Sequence, residues 1–578
     1  MNYAPRNPAL GLKLEGWRSR LLLVLLCLMF LGLAARAAYL QGIRHDFLRQ
    51  KGEARYSRVI DLPANRGVVY DRNGEPLAIS TPMESVWASP PDVIVNAGQL
   101  SKLAKLLGVD RNELEARFHS KHRGFVYLRR QVSPNLAASV TALDIPGVFL
   151  RREYRRYYPA GEVMAHVLGF TGIDDNGQEG MELAFQSTLA GLPGAKRVIK
   201  DRAGRIVEDV ESIKLPQDGK PLTLSIDSKI QYLAYRELKA AVRAHRAQAG
   251  AIVVLDAQSG ELIALASLPD YNPNNRLHAK ATQIRNRPVT DIFEPGSTLK
   301  PFTIAAALDY GKVRPDTLIS TAPGSYVIGG RTIRDAHPHG KLTVAEVIQK
   351  SSNVGSAKIA LSLPAEAMWE VFINMGFGAV PHSGLPGEAA GKVRPFKTWR
   401  PIEQATMSYG HGISVSLVQL ARAYIAFASG GEIKPITLLK SEVPVQGKRI
   451  ISERTARSVT AMLEMAVQPG GTAPKAQVPG YRVAGKTGTA HKQSGGVYAA
   501  NRYVSSFVGF APVSAPRLVI AVMIDEPSAG HHYGGTVAAP VFSKVMGEAL
   551  RSLAVAPDAP LKEWSDPIDN ALEIKEEV

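Results

Sequence analysis

Residues 21–35 read Leu-Leu-Leu-Val-Leu-Leu-Cys-Leu-Met-Phe-Leu-Gly-Leu-Ala-Ala, and residues 37–40 resume the apolar run after Arg36. A helix that crosses the hydrocarbon core of a bilayer needs about 20 such residues. Residues 21–40 supply them if Arg36 lays its aliphatic stem along the helix and carries its charge to the interface. Trp17 and Tyr39 stand at the two ends, where interfacial aromatic belts form. Ala35-Arg36-Ala37 has the small-x-small pattern of a signal-peptide cleavage site, but it overlaps the apolar run instead of following it, and the run is long for a signal. An uncleaved single anchor is expected. Charge does not orient it, because Arg6, Lys13, Arg18 and Arg20 precede the span while Arg44, Arg49, Lys51, Arg55 and Arg58 follow it.

The rest of the 578-residue chain is too long for one core, so at least two folded regions are expected beyond the span. Apolar residues at 45% and charged residues at 21% describe a globular chain. The net charge of +17 is spread along the whole length, with no basic stripe interleaved with aromatics, so no nucleic-acid partner is expected. Cys27 is the only cysteine, which excludes an intramolecular disulfide and a cysteine-based metal site. The histidines lack ligand spacing, and His531-His532 reads as a loop, so no metal is expected.

Asn73-Gly74 between residues 68–70 and 77–79 predicts a hairpin. Residues 45–56 read as a polar helix leaving the membrane, and the region up to 217 as mixed short helices and strands. A second region opens with a helix over 228–245, followed by a hairpin of strands 250–255 and 261–267. Strands over 482–486, 503–510 and 518–524 and a helix over 537–553 close it. Strands at both ends of a region with a long helical middle predict one α+β domain whose sheet joins distant segments. The boundaries that result are a tail over 1–20, the anchor over 21–43, a module without chemical motifs over 44–217, an α+β domain over 218–556, and a disordered tail over 557–578.

The informative stretch is Phe293-Glu294-Pro295-Gly296-Ser297-Thr298-Leu299-Lys300-Pro301. Pro295-Gly296 ends a loop and an apolar helix runs on to Leu308, so Ser297 is expected at the helix N-terminus with Lys300 one turn on, on the same face. A serine hydroxyl becomes a nucleophile when an adjacent base takes its proton. Lysine can be that base where burial and neighbouring positive charge favour its neutral form. Ser-x-x-Lys is a weak signal alone, yet it occurs once here. Ser351-Ser352-Asn353 follows, with a polar helix end as its ordinary reading, and then Lys486-Thr487-Gly488-Thr489, expected where a strand terminates. Each alone is more often structural than catalytic. The three in this order define the set shared by penicillin-binding proteins and class A β-lactamases.

With these motifs the sequence resembles the class B penicillin-binding proteins of the division-specific type, over nearly its whole length. Arg66-Gly67 with residues 71–74, and residues 180–182 with 189–191, are similar to stretches of the family's non-catalytic module. Residues 293–296 are similar to the lead-in of the division enzymes, and residues 407–412 to a further family segment, with His411 where an aromatic is common. The resemblance implies an elongated pedestal of the dimerisation type over 44–217 and a β-lactamase-like transpeptidase domain, an antiparallel sheet packed between helices, over 218–556.

It also implies roles. Ser297 would attack the penultimate D-alanine carbonyl of a peptidoglycan stem peptide, Lys300 would be the base, Ser351 the proton relay, and Asn353 would hold a substrate amide. Lys486 would add positive potential, Thr487 and Thr489, with Gly488 between them, would bind the terminal carboxylate, and the backbone N–H groups of Ser297 and Thr489 would form an oxyanion hole. No cofactor is implied. The implied setting is the inner membrane with the catalytic domain in the periplasm. The implied partners are lipid-linked nascent glycan, a multi-span division glycosyltransferase and other division membrane proteins. A class A β-lactamase would need Glu-x-x-Leu-Asn, and Leu-Asn occurs nowhere in the chain. A catalytically silent scaffold and an elongation-type transpeptidase stay open as alternatives.

Overall fold

The computed structural model describes residues 15–47, 57–119, 124–200, 206–443, 445–494 and 497–560. Residues 561–578 of the expected tail 557–578, and most of the expected helix 45–56, lie outside them. The apolar run forms the helix Gly16–Ala38, continued by a π-helical turn, Tyr39–Ile43. Together they make a 28-residue segment of mean hydropathy 2.5, long and apolar enough to cross a bilayer once. Arg36 stacks its guanidinium 5.7 Å from the centre of the Tyr39 ring, so its charge lies beside the interfacial aromatic.

The chain divides into two units, the first comprising residues 1–64, 83–153 and 192–217. Helices Ala97–Leu107, Arg111–Phe118 and Pro134–Thr141 bury Leu103, Leu107, Leu114 and Val140 with Val86 and Leu128. The first of them begins because Asn96 Oδ1 accepts the Gln99 N–H at 2.8 Å, while Gln99 Oε1 accepts the Asn96 N–H at 3.2 Å. A separate antiparallel sheet is made by Ser57–Leu62, Gly194–Lys200 and Ile206–Lys214, in that order.

The second unit comprises residues 65–82, 154–191 and 218–578. The expected Asn73-Gly74 hairpin is present, pairing Val69 with Ala78. The two stretches 65–82 and 154–191 meet in a buried ionic knot. Arg66 Nε donates to Glu182 Oε2 at 2.6 Å and Arg156 Nε to Glu182 Oε1 at 2.7 Å, all three side chains at most 1% exposed. Arg66 Nη1 also donates to the Asp175 carbonyl at 3.0 Å. Asp71 accepts from the hydroxyl of Ser228 at 2.8 Å, which ties the hairpin to the start of the next helix. These contacts account for Arg66, Asp71 and Glu182 among the motif-like stretches of the non-catalytic sequence.

That helix is α1, Ser228–Ala244, capped by Asp227, whose Oδ1 accepts the N–H groups of Lys229 and Ile230. Five strands follow: β1 (Ala249–Asp256), β2 (Leu262–Leu268), β3 (Ala484–Ser494), β4 (Val497–Ala511) and β5 (Leu518–Asp525). Their order is β2-β1-β5-β4-β3, antiparallel throughout. Ile252 and Val254 pack with Leu238 of α1 and Phe542 of α8 (Ala539–Ser552), whereas Ala251 and Val253 pack with Tyr424 and Phe427 of α6 (Leu417–Ala428). Both faces are covered, so every residue of β1, β2 and β5 is buried. An antiparallel sheet wet on one face would alternate instead.

Between β2 and β3 the chain folds the helices on and between which the candidate site residues lie: α2 (Lys300–Asp309), α3 (Val344–Lys350), α4 (Asn353–Leu361), α5 (Pro401–Met407), α6 and α7 (Glu453–Val467).

Candidate active site

Two of the local expectations need correction. Ser297 is not in the first turn of an α-helix but in a 3₁₀ turn, Gly296–Leu299, and the α-helix begins at Lys300. The i→i+3 turn brings residues three apart nearly into line, which aims Lys300 at Ser297 more directly than α spacing does. Ser351–Asn353 does lie at a polar helix end, where Ser351 closes α3 and Ser352 caps α4. Lys486–Thr489 does not end a strand; it runs through β3, at the sheet's edge. Paired only to β4, this edge strand leaves its other side to the 3₁₀ turn.

The close approach depends on glycine. A Cβ at Gly488 would lie 2.7 Å from the Pro295 carbonyl oxygen and 2.6 Å from Ser506 Oγ. At Gly410, where φ is +89°, a Cβ would lie 2.2 Å from the Gly296 carbonyl oxygen. The turn is therefore clasped between β3 and the segment that carries His411, and Tyr424 holds it from below by donating its hydroxyl to the Thr298 carbonyl at 2.8 Å.

Within this clasp Lys300 Nζ donates to Ser297 Oγ at 2.9 Å and to Ser351 Oγ at 3.0 Å, and also to the Ser351 carbonyl. Lys486 Nζ donates to the same Ser351 Oγ at 2.9 Å. One hydroxyl thus sits between two lysine nitrogens, both lysines fully buried and Ser297 8% exposed. Ser351 adopts φ +61°, ψ +35°, a left-handed conformation that costs a non-glycine residue about 1–2 kcal/mol. It turns both the carbonyl and the hydroxyl of one residue toward Lys300, and such strain is characteristic of working sites. Thr487 Oγ1 lies 3.2 Å from Lys486 Nζ, and Thr489 Oγ1 accepts the Gly534 N–H at 3.1 Å.

Ser297, Lys300, Ser351, Lys486 and Thr487 are thereby joined in one hydrogen-bonded chain. Asn353 adjoins it differently, its side-chain amide donating to the Arg334 carbonyl at 3.1 Å. Sequence reading missed the residue that holds this turn, Asp335, which accepts from Ser352 Oγ at 2.6 Å and from the N–H groups of Asn353 and Val354 at 2.6 and 2.9 Å. A carboxylate at the N-terminus of α4 satisfies its donors and opposes the positive end of its dipole. It also missed Thr472, whose Oγ1 lies 3.0 Å from Thr487 Oγ1 and 3.5 Å from Lys486 Nζ. No local pattern marks either; each acts on residues it meets only in the fold.

At the mouth, Glu294 accepts the Gly412 N–H at 2.8 Å and the Tyr498 hydroxyl at 3.1 Å, and burial raises its pKa. His411 lies with Nδ1 3.9 Å from Glu294. Burial first, then the charges of Lys300 and His491, bring its pKa down to about 4, so it is neutral near pH 7.

A buried serine in hydrogen-bond contact with a lysine, beside a strand carrying Lys-Thr-Gly-Thr, is the arrangement that serine acyl transfer of the Ser-x-x-Lys kind requires. Residues 250–547 match the penicillin binding protein transpeptidase domain and residues 61–224 the penicillin-binding protein dimerisation domain. The chain is 45% identical over 548 residues to a probable peptidoglycan D,D-transpeptidase, PenA, of Neisseria meningitidis, covering 94% of each. It is 42% identical over 550 residues to the peptidoglycan D,D-transpeptidase FtsI of Escherichia coli, covering 94% of this chain and 93% of that one. The apo transpeptidase domain of Burkholderia pseudomallei penicillin-binding protein 3 is 52% identical, with a TM-score of 0.55, over 58% of this chain and 98% of that domain. The chain belongs to the penicillin-binding transpeptidases, with a dimerisation module before the catalytic domain.

Proposed function

We propose that the chain is a peptidoglycan D,D-transpeptidase acting through a Ser297 acyl-enzyme. The observation that carries this reading is the placement of Lys300 Nζ between Ser297 Oγ and Ser351 Oγ, at 2.9 and 3.0 Å. Burial of Lys300, and the Lys486 ammonium on the far side of Ser351, both favour a neutral amine able to take the serine proton. Ser297 Oγ attacks the penultimate D-alanine carbonyl, and its proton passes to Lys300. The tetrahedral oxyanion is held by the backbone N–H groups of Ser297 and Thr489, a preorganised donor pair of the kind that supplies the largest electrostatic term in acyl transfer. Ser351, in contact with both lysines, gives its proton to the departing D-alanine amine and takes in its place the one Lys300 received from Ser297. The hydroxyls of Thr487 and Thr489 and the charge of Lys486 recognise the terminal carboxylate, and Asn353 holds a stem-peptide amide. An amine of a second stem peptide then takes the acyl group and frees Ser297. A β-lactam, which mimics the donor, acylates the same serine.

Intact-protein mass spectrometry after penicillin treatment should find one adduct on the peptide containing Ser297. An adduct that persists in Ser297→Ala sinks the assignment.

The setting is part of the same reading. Residues 1–20 lie on the cytoplasmic side, residues 21–43 cross the inner membrane, the module 44–217 follows, and the domain 218–556 works in the periplasm. The lead-in Phe293-Glu294-Pro295-Gly296 favours septal synthesis. Because no sequence suited to polymerising glycan accompanies the serine site, a multi-span division glycosyltransferase delivers the strands, recognised by the span and the module. Exchanging both for those of an unrelated anchored protein should abolish septal cross-linking while leaving Ser297 reactive; retained septal cross-linking refutes the partner.

A further inference from the structure

Beneath the serine–lysine pair three hydroxyl residues meet, and the chemistry described so far uses none of them. Thr303 Oγ1 donates to the Ser408 carbonyl at 3.0 Å, and Ser356 Oγ lies 3.1 Å from that carbonyl oxygen and 3.1 Å from Ser408 Oγ. Ser408 Oγ in turn donates to the Ala405 carbonyl at 2.6 Å. All three residues are fully buried. A serine or threonine inside a helix ordinarily bonds back to a carbonyl of its own preceding turn. Thr303 and Ser356 bond instead across to one carbonyl, 105 and 52 residues away in sequence. A buried hydroxyl is costly unless bonded, so each of these ties its helix to that carbonyl.

The helices so tied are those of the site. Thr303 stands one turn after Lys300 on α2. Ser356 is in the first turn of α4, its N–H bonded to the carbonyl of Ser352 at 3.2 Å. Ser408 ends α5 and leads, two residues on, to Gly410, which packs on the Gly296 carbonyl beside Ser297. One carbonyl with two acceptor lone pairs therefore fixes the spacing of the lysine helix, the Ser351–Asn353 turn and the clasp on the nucleophile. That spacing sets whether Lys300 reaches Ser297 and Ser351 together.

We propose that Thr303 and Ser356 are positioning residues that, through the Ser408 carbonyl, hold Lys300 in register between Ser297 and Ser351. The inference rests on the Ser297–Lys300 chemistry proposed above. Thr303→Val removes the hydroxyl and keeps the shape, Ser356→Ala removes the other hydroxyl, and Thr303→Ser keeps the bond.

In full-length, detergent-solubilised protein, acylation by a fluorescent penicillin separates the binding constant from the acylation rate constant, followed from acid to alkaline pH with melting temperatures alongside. Thr303→Val and Ser356→Ala should each lower the rate constant about 10- to 100-fold, as expected for an ångström-scale misplacement. The binding constant should stay within about threefold of wild type, the loss lying in the step after binding. The acid limb of the rate profile should move, and Thr303→Ser should restore both rate and limb. A rate constant unchanged at every pH, or a loss that Thr303→Ser shares while the limb stays in place, overturns the proposal. Labelling that persists in Ser297→Ala would overturn the underlying chemistry instead, so the two failures are distinguishable.

Discussion

Among its described residues the second unit buries arginine or lysine side chains in two places, by different means. In the ionic knot, Arg66 and Arg156 each meet one oxygen of Glu182 within 2.7 Å. At the cleft, Lys300 and Lys486 converge on the hydroxyl of Ser351 at 3.0 and 2.9 Å. A guanidinium cannot release its proton, and a carboxylate between two of them forms a charge-assisted, geometrically fixed joint. A lysine can release its proton, and a hydroxyl both accepts and donates, so under the proposed chemistry the cleft moves a proton where the knot holds two chain segments. The choice of arginine with carboxylate, or lysine with hydroxyl, separates a structural joint from a reactive one.

The sharpest way to break that contrast is Lys300→Arg. It keeps the cation and removes the base, and acylation should fall by about 10²–10⁴-fold in the folded fraction. Near-wild-type acylation by the arginine variant would show that Lys300 is only a cation, like the arginines of the knot. Glu182→Gln is the converse change. Breaking a buried pair by removing one partner costs about 3–5 kcal/mol, so the melting temperature should fall by several degrees while the acylation rate constant of the folded protein stays unchanged. A Glu182→Gln protein of normal stability would deny the knot its role.

Two pH experiments sharpen the comparison further. His411 at the mouth has a folded-state pKa of about 4, below its ordinary 6.5, because of burial first and then the charges of Lys300 and His491. The folded state therefore binds fewer protons than the unfolded chain between these values. Its contribution is fully present above pH 6.5 and is lost as pH falls toward 4. With the side chain 21% exposed, the loss is about 2 kcal/mol after allowance for solvent. Melts at pH 4.5, 5.5 and 7 should show a shallower slope for His411→Phe, and parallel slopes would count against the assignment.

Asp175 beside the knot has the opposite sign. Burial, opposed by Arg66 and Arg156, raises its pKa from 3.8 to about 6. The folded state there binds more protons than the unfolded chain, so stability falls as pH rises through that window. Asp175→Asn should raise stability at pH 7 by about 1 kcal/mol, with little change at pH 4, measured by denaturant unfolding. Equal effects at both pH values would show that the carboxylate charge is not the cause.

Sequence alone determined what local periodicity can encode. It gave the membrane helix from its unbroken apolar run, the Asn73-Gly74 turn, the boundaries of α1, and the pairing of β1 with β2. It singled out Ser297 and Lys300 because residues three apart share a helical face in any right-handed turn. Arg66 and Glu182, 116 residues apart, were visible as motif-like stretches but not as partners. That Lys486 shares the Ser351 hydroxyl across 135 residues was decided only by tertiary structure. So was the running of Lys486–Thr489 through β3 instead of ending it, because strand length depends on the pairing partner, and β4 begins at Val497, so that its first residues pair with β3 from Ala490 to Ser494. The 3₁₀ turn at Ser297, the grip of Asp335 on α4 and the side-chain direction of Asn353 follow from contacts with segments elsewhere in the chain. The physical reason is range. Spacing along a sequence fixes which side chains are neighbours within one turn or one hairpin, whereas the meeting of distant segments is set by how both faces of the sheet are covered.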